Sequence, residues 1–306
     1  MILCCGEALI DMLPRKSETG EDAFAPYPGG AVFNTAIALG RLGAPAGFFC
    51  PLSSDFLGDL LAEALVKSHV DASACPRVAR PCTVAFVQLV AGQAKYAFYD
   101  EGTALRRLTE AELPEVGDNV RALFCGGISL MSEPCGAAFE ALMLREAGRR
   151  VTMIDPNIRP SFISDANAYR ARIRRMMGAA DIVKVSDEDL EWLMGPGPTD
   201  DLAQGLLAMG PALLCVTAGA DGATGYTTSA RVTRPAQKAE IVDTVGAGDT
   251  FNAGLLAALD GAGALSRAGL SALSDDNLSA ALDTGARAAA ITVSRAGANP
   301  PWAHEV

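Results

Sequence analysis

Short, β-rich apolar runs recur along this chain of 306 residues, separated by stretches of helical period, and nothing else in it limits the fold so strongly. The runs are "ILCCGEAL" (2–9), "AGFFCPL" (46–52), "RALFCGGIS" (121–129), "RVTMIDPN" (150–157), "DIVKVS" (181–186) and "ALLCVTAG" (212–219). Between them lie amphipathic segments such as "FLGDLLAEALVKSH" (56–69), "EPCGAAFEALMLREAG" (133–148) and "AYRARIRRMMGAA" (168–180). A strand without a polar face must be covered on both sides, and helices between strands supply that cover. The expectation is an α/β fold, a doubly wound and mostly parallel sheet flanked by helices, in a single domain over 1–306.

One region breaks the alternation. "TVAFVQLVAGQAKYAFYD" (83–100) is two strands about an Ala91-Gly92-Gln93 turn, and "MLPRKSETGEDAFAPYPGG" (12–30) holds turn formers without helical period. Segments 12–30 and 82–104 together are expected to form a small β-sheet inserted in the core, which reads as a lid over the ligand crevice. A decorative edge hairpin is the plainer reading. The irregular alternation of "TVAFVQLV" could also let this sheet pair with a second copy as a homodimer.

The net charge of −11 argues against nucleic acid as a partner, so any phosphorylated ligand must be held by a local device. The opening residues meet Glu7 and Asp11 too early for a secretory signal, and eight cysteines without a CxxC pair read as reduced core thiols of a cytoplasmic protein. With only His69 and His304, both expected at the surface, and no HExxH, the sequence disfavours a Cys/His zinc site. The longest uncharged run, 202–220, is broken by Gly205, Gly210 and Pro211, and no membrane segment is expected.

The local device lies in "DTVGAGDTFNAGLLAALDG" (243–261). Phe251, Leu255, Leu256 and Leu259 repeat at helical spacing, so a helix starts near Ala247 to Asp249, with Gly261 as its C′ glycine. Gly246 and Gly248 leave the backbone bare where it enters the helix, and the unpaired N–H groups there attract phosphate. Asp249 beside an anion site would repel the anion. It is either a helix cap or the base that takes a proton from an attacking hydroxyl, the division of labour of a phosphotransferase. No G-x-x-x-x-G-K-[ST] occurs, and no strict G-x-G-x-x-G follows a strand, which disfavours a P-loop enzyme or a dehydrogenase.

"DTVGAGDTFNAGLL" (243–256) resembles the C-terminal signature of the ribokinase-like, phosphofructokinase-B family of carbohydrate kinases. "PGGAVFNTAIALGRLG" (28–43) is similar to its N-terminal glycine signature, and "GEALIDM" (6–12), "DPNIRP" (155–160), "VKVSDEDL" (183–190) and "VTAGADGA" (216–223) follow in the family's order. The resemblance spans essentially the whole chain. It implies transfer of the ATP γ-phosphoryl group to a sugar hydroxymethyl group with Mg²⁺, Asp249 acting as base and the amides of Gly246, Ala247 and Gly248 as anion hole. It assigns Asp11, Gly29, Gly30 and Asn34 to the sugar, and Thr217, Gly219 and Gly222 to the nucleotide loop. Asp243, Val245, Thr292 and Gly297 correspond to a loop that could bind K⁺. The family's N-x-x-E motif is replaced by Ser186 and Asp189, so Asp189 could order metal-bound water and Ser186 face the nucleotide.

Other positions are argued from the residues themselves. Asn157 and Arg159 sit at the carboxyl end of a strand, where ligands bind in such sheets, although Asp155 could simply cap the turn there. Lys184 interrupts a buried strand and needs a partner or a ligand, for which phosphate is suited. The basic run 170–177 reads as a solvated helix face. "CGGISLMSEPCGAAFEAL" and "DPNIRPSF" are most similar to bacterial fructokinases, while 2-keto-3-deoxygluconate kinases share D-P-N-x-R. Nucleoside kinases share the core but want an aromatic base patch, and a silent sugar- or nucleotide-binding relative would be expected to have lost Asp249.

Overall fold

The computed structural model describes residues 1–90 and 93–306. The chain opens with β1 (Ile2–Cys5), then leaves that sheet for β2 (Leu9–Lys16) and β3 (Asp22–Gly29), so "ILCCGEAL" is divided between two sheets rather than being one strand. The turn Gly6–Glu7 makes this division, because Gly6 packs directly on Val32, where a side chain would not fit. Helix α1 (Ala31–Arg41) returns to β4 (Ala46–Phe49), followed by the two-residue β5 (Leu52–Ser53), helix α2 (Phe56–Lys67), β6 (Val70–Asp71) and β7 (Arg77–Val78). The hairpin β8 (Val84–Val90) and β9 (Gln93–Tyr99) comes next, and Ala91 and Gly92 of its expected turn lie outside the described residues.

The second half is regular. β10 (Ala122–Gly126), α3 (Cys135–Glu146), β11 (Val151–Asp155), α4 (Ala166–Ala179), β12 (Ile182–Ser186), α5 (Asp187–Met194), α6 (Thr199–Leu207) and β13 (Leu213–Thr217) alternate as the periodicity requires. An antiparallel edge, β14 (Ala223–Tyr226) and β15 (Arg231–Arg234), precedes α7 (Ala247–Gly261), α8 (Arg267–Ser271) and α9 (Asp275–Val293). That edge is not evident in the sequence, because "ATGY" and "RVTR" are too short and too polar to stand out.

The larger sheet runs β15-β14-β13-β12-β11-β10-β1-β4-β6, with every pairing from β13 to β6 parallel. All residues of β1, β4, β10 and β11 are buried, which is why these strands are apolar apart from Thr152 and Asp155 of β11. From β1 the chain winds first toward β4 and later toward β10, so the topological switch point falls between β1 and β10. The second sheet, β3-β2-β8-β9, is built from the two segments that lacked helical period. Its exposed aromatics Phe24 and Tyr99 flank Phe86 in edge-to-face contacts at 5.0 and 5.6 Å.

Three local expectations are corrected. Helix α7 continues through Gly261, and the left-handed residue beyond it is Gly263 at φ +68°. The run 170–177 is not a plain solvated face: Arg172 donates to Leu130 O and pairs with Glu133 and Glu140, and Arg170 lies over the Trp192 ring at 4.0 Å. Asp249 is the third residue of α7 and makes no capping bond there; the cap is Gly246. All eight cysteines are free, and His69 and His304 are exposed. Among the described residues no helix is long and apolar enough to cross a membrane.

Candidate active site

Gly246 adopts φ +80° and ends the loop that feeds α7, and a Cβ there would press on Ala298 at 2.8 Å. A side chain is therefore excluded on both conformational and steric grounds. Ala247, Gly248 and Asp249 form the first helical turn, whose amides have no partner within the helix. Asp249 is 7% exposed, and its Oδ2 accepts from Asn34 Nδ2 at 2.9 Å. Thr35 Oγ1 donates to the Asp249 carbonyl at 3.2 Å, so two consecutive residues of α1 fix α7 beside it. Burial pushes the Asp249 carboxyl up to about 7, aided by the charges of Asp155 and Glu7 and opposed by the Asn34 hydrogen bond and by Lys184. A buried carboxylate poised near neutrality can take a proton from a hydroxyl, which a helix cap has no need to do.

Asp11, on β2, and Asn34 line a cavity of about 380 Å³ together with Asp243, Val245 and Gly297. Burial raises the Asp11 carboxyl to about 6. Gly29 leaves room for that carboxylate, since a Cβ on it would collide with Asp11 Oδ2. Gly30, at φ +109°, caps α1. Asp243 has both oxygens engaged: Oδ1 accepts from Val245 N at 3.0 Å and Oδ2 from Gly297 N at 2.9 Å. It thus ties the loop before α7 to the loop after α9. Thr292 is fully buried and donates to Thr250 Oγ1 at 3.0 Å, joining α9 to α7.

A second group gathers at the carboxyl ends of β11, β12 and β13. Lys184 finds its partner in Asp155, with Nζ 3.0 Å from Oδ2. Burial alone would lower the lysine, yet the carboxylates of Asp155, Asp189 and Asp249 around it raise it, and it stays charged. Asn157 has φ +43° and donates its amide to Asp155 Oδ1 at 3.2 Å, while Arg159 donates to the carbonyl of Ile158 at 2.9 Å. Ser186 caps α5, accepting from Asp189 N at 3.0 Å, and Asp189 Oδ1 accepts from Ile158 N at 3.2 Å. Burial and the nearby Asp155 lift Asp189 to about 6. Thr217 lies beside Ser186 in the β12–β13 register, and the turn beyond it is shaped by Gly219 at φ +50° and Gly222 at φ +99°.

Sequence reasoning missed Glu7 and Asn252. Glu7 fills the switch-point crevice, its carboxylate accepting from Ala31 N, Val32 N and Ser129 N at 2.8, 3.4 and 3.2 Å. It occupies the α1 N-terminus, and a glutamate one glycine beyond the apolar run Ile2–Cys5 was the available signal. Asn252 lies three residues beyond Asp249 and donates to Asp155 Oδ2 at 2.7 Å. Its only mark in the sequence was a polar residue among buried ones.

A family model described as "pfkB family carbohydrate kinase" matches residues 1–305. A fructokinase of Rhizobium leguminosarum bv. trifolii is 58% identical over 259 residues, covering 85% of this chain and 79% of that one. Fructokinase-1 of Oryza sativa subsp. japonica is 37% identical, with 84% and 82% covered. Among solved structures, fructokinase from Xylella fastidiosa with bound ATP superposes with a TM-score of 0.88 at 27% identity, over 97% of this chain and 93% of that one.

Proposed function

Since this chain belongs to the pfkB family of carbohydrate kinases and is a phosphotransferase acting on a sugar hydroxyl, we propose that it transfers the γ-phosphoryl group of ATP to a hydroxymethyl group of fructose. The observation that carries the reading is Asp249, a buried carboxylate whose proton affinity lies near neutrality, seated beside the helix-start amides of Gly246, Ala247 and Gly248, of which Ala247 N makes only a long 3.4 Å bond to Thr244 O. Asp249 takes the hydroxyl proton as the oxygen attacks, and the amides meet the charge on the transferring group. Asp11, Gly29, Gly30 and Asn34 hold the sugar from one side, Asn157 and Arg159 from the other. Lys184, Ser186, Thr217, Gly219 and Gly222 face the nucleotide.

The oxygen donors near Ser186 and Asp189 suit a water-bridged Mg²⁺, a hard cation that keeps much of its hydration and would offset phosphate charge when bound. Asp243, which accepts from Val245 N and Gly297 N, ties the loop before α7 to the loop after α9, and backbone carbonyls of Val245, Thr292 and Gly297 would hold K⁺ there. The four-stranded sheet acts as a lid over the sugar, and its exposed aromatic face is where a second copy would pair. Eight unpaired cysteines accord with a reducing cytoplasm.

ADP release with Mg-ATP and K⁺, measured across fructose, 2-keto-3-deoxygluconate, ribose, tagatose and adenosine, tests the substrate. Fructose is expected to lead by at least about tenfold in kcat/KM, the gain from one well-placed hydrogen-bonded contact. A ranking led by the keto-deoxy acid would assign Arg159 to a carboxylate and overturn the fructose reading.

A further inference from the structure

Beneath the start of α7 lies a polar cluster with more members than an ion pair needs. Asp155 Oδ2 accepts from Lys184 Nζ and from Asn252 Nδ2, at 3.0 and 2.7 Å, so one oxygen joins β11, β12 and α7. The three residues are 2%, 5% and 1% exposed for Asp155, Lys184 and Asn252. A Cβ placed on Gly248 would lie 3.3 Å from Lys184 Nζ, which puts the ammonium directly behind the amides of the anion hole. Asn252 Oδ1 is buried and unpaired among the described residues. A buried orphan carbonyl weakens a fold, and an apolar residue of that size would avoid it. The asparagine is therefore retained for its N–H, which draws Asp155 toward α7, and the ammonium with it. An aspartate at 252 would instead add a further carboxylate beside Asp155 and Asp249.

We propose that Asp155 and Asn252 are positioning residues that hold the Lys184 ammonium under Gly248 as a fixed counter-charge for the transferring phosphoryl group. The proposal rests on the kinase reading of the same site. A charge set in place before reaction, in a dry site, stabilises developing negative charge without reorganisation. Asp155 offsets part of the lysine's charge, so the ammonium does not simply trap ATP. The same carboxylate, through Asn157 N, fixes the turn that carries Arg159.

A double-mutant cycle tests this. Asn252→Ala is expected to lower kcat roughly tenfold, the usual scale for loss of an outer partner of a reacting group, with KM for ATP and fructose held within about threefold. Placed in a Lys184→Met background, Asn252→Ala should cost nothing more, because it acts through the lysine. If Lys184→Met alone does not fold, Lys184→Met with Asp155→Asn removes both buried charges and serves as the background. An undiminished loss in that background, or an unchanged kcat in the single variant, overturns the proposal. Calorimetry with ADP, aluminium fluoride and fructose reads the same cycle without turnover. There Asn252→Ala should bind the mimic about tenfold more weakly than the parent, with ADP alone unaffected, and equal binding overturns the proposal. If another sugar led the panel, the fructose reading would fall, and the calorimetric cycle run with that sugar would still decide this proposal.

Discussion

Asp249 and Asp11 are both carboxylates pushed up by burial, yet the two sheets use them differently. Asp249 sits at the end of the larger sheet, fully enclosed, with Asn34, Asp155, Lys184 and Glu7 acting on it, and is raised to about 7. Asp11 lies on the four-stranded sheet, is only partly enclosed, and is raised to about 6 by burial alone. Around Asp249, burial first and then the opposing charges of Asp155 and Lys184 set a proton affinity suited to chemistry. The smaller sheet offers a carboxylate to an open cavity and leaves it free to accept hydrogen bonds. In the proposed reaction the first governs kcat and the second governs KM.

The contrast breaks most visibly at Asp249. Asp249→Ala should reduce kcat by about 10³-fold, within the usual range for loss of a general base, while ATP still binds with near-parental affinity by calorimetry. Near-parental turnover would remove the base from the mechanism. In the parent, kcat should fall as pH drops through about 7, as the carboxyl takes up a proton and can no longer accept one from the sugar.

Stability gives the next test. A carboxyl raised on folding contributes stability below its unfolded value of 3.8 and loses it as pH rises through about 7. Asp249→Asn keeps an acceptor for Asn34 and removes the buried charge, so its Tm should exceed the parent's by several degrees at pH 8 and match it near pH 4. Equal Tm values at pH 8 would mean that the carboxylate is better solvated than its burial implies.

Asp11→Asn sharpens the other side of the comparison. KM for fructose should rise about 10- to 100-fold, the worth of one or two charge-assisted hydrogen bonds, with kcat nearly unchanged. In the parent the same KM should rise as pH falls through about 6. A loss confined to kcat would move Asp11 from binding to chemistry. The smallest effect is expected on the exposed aromatics of the four-stranded sheet. Tyr99, 64% exposed against Phe86, should tolerate replacement by Ser within about 0.5 kcal/mol of unfolding free energy, as exposed positions do. Any larger consequence should show in molecular mass by light scattering, as weaker pairing with a second copy.

The parallel strands were legible because burial on both faces leaves few polar residues in them, and none in Ile2–Cys5 and Ala122–Gly126. The start of α7 was legible because bare backbone at a helix N-terminus requires Gly246 and Gly248 whatever lies around them. The extent of α7 was misjudged at Gly261, since a glycine inside a helix and one that ends it look alike in one dimension. The short edge β14–β15 gave no signal, because pairing with β13 and not its own pattern makes it a strand.

Taken alone, the sequence determined the local requirements: which segments must be buried, where the backbone must be bare, and where a carboxylate meets an anion site. Only the tertiary structure decided which charges act on one another. Lys184 and Asp155 are separated by 29 positions, Asn252 and Asp155 by 97, and Asn34 and Asp249 by 215, yet each pair meets within 3.0 Å. Electrostatic interaction depends on distance in space and on the dielectric around it, and neither quantity exists until the two sheets and α7 have packed.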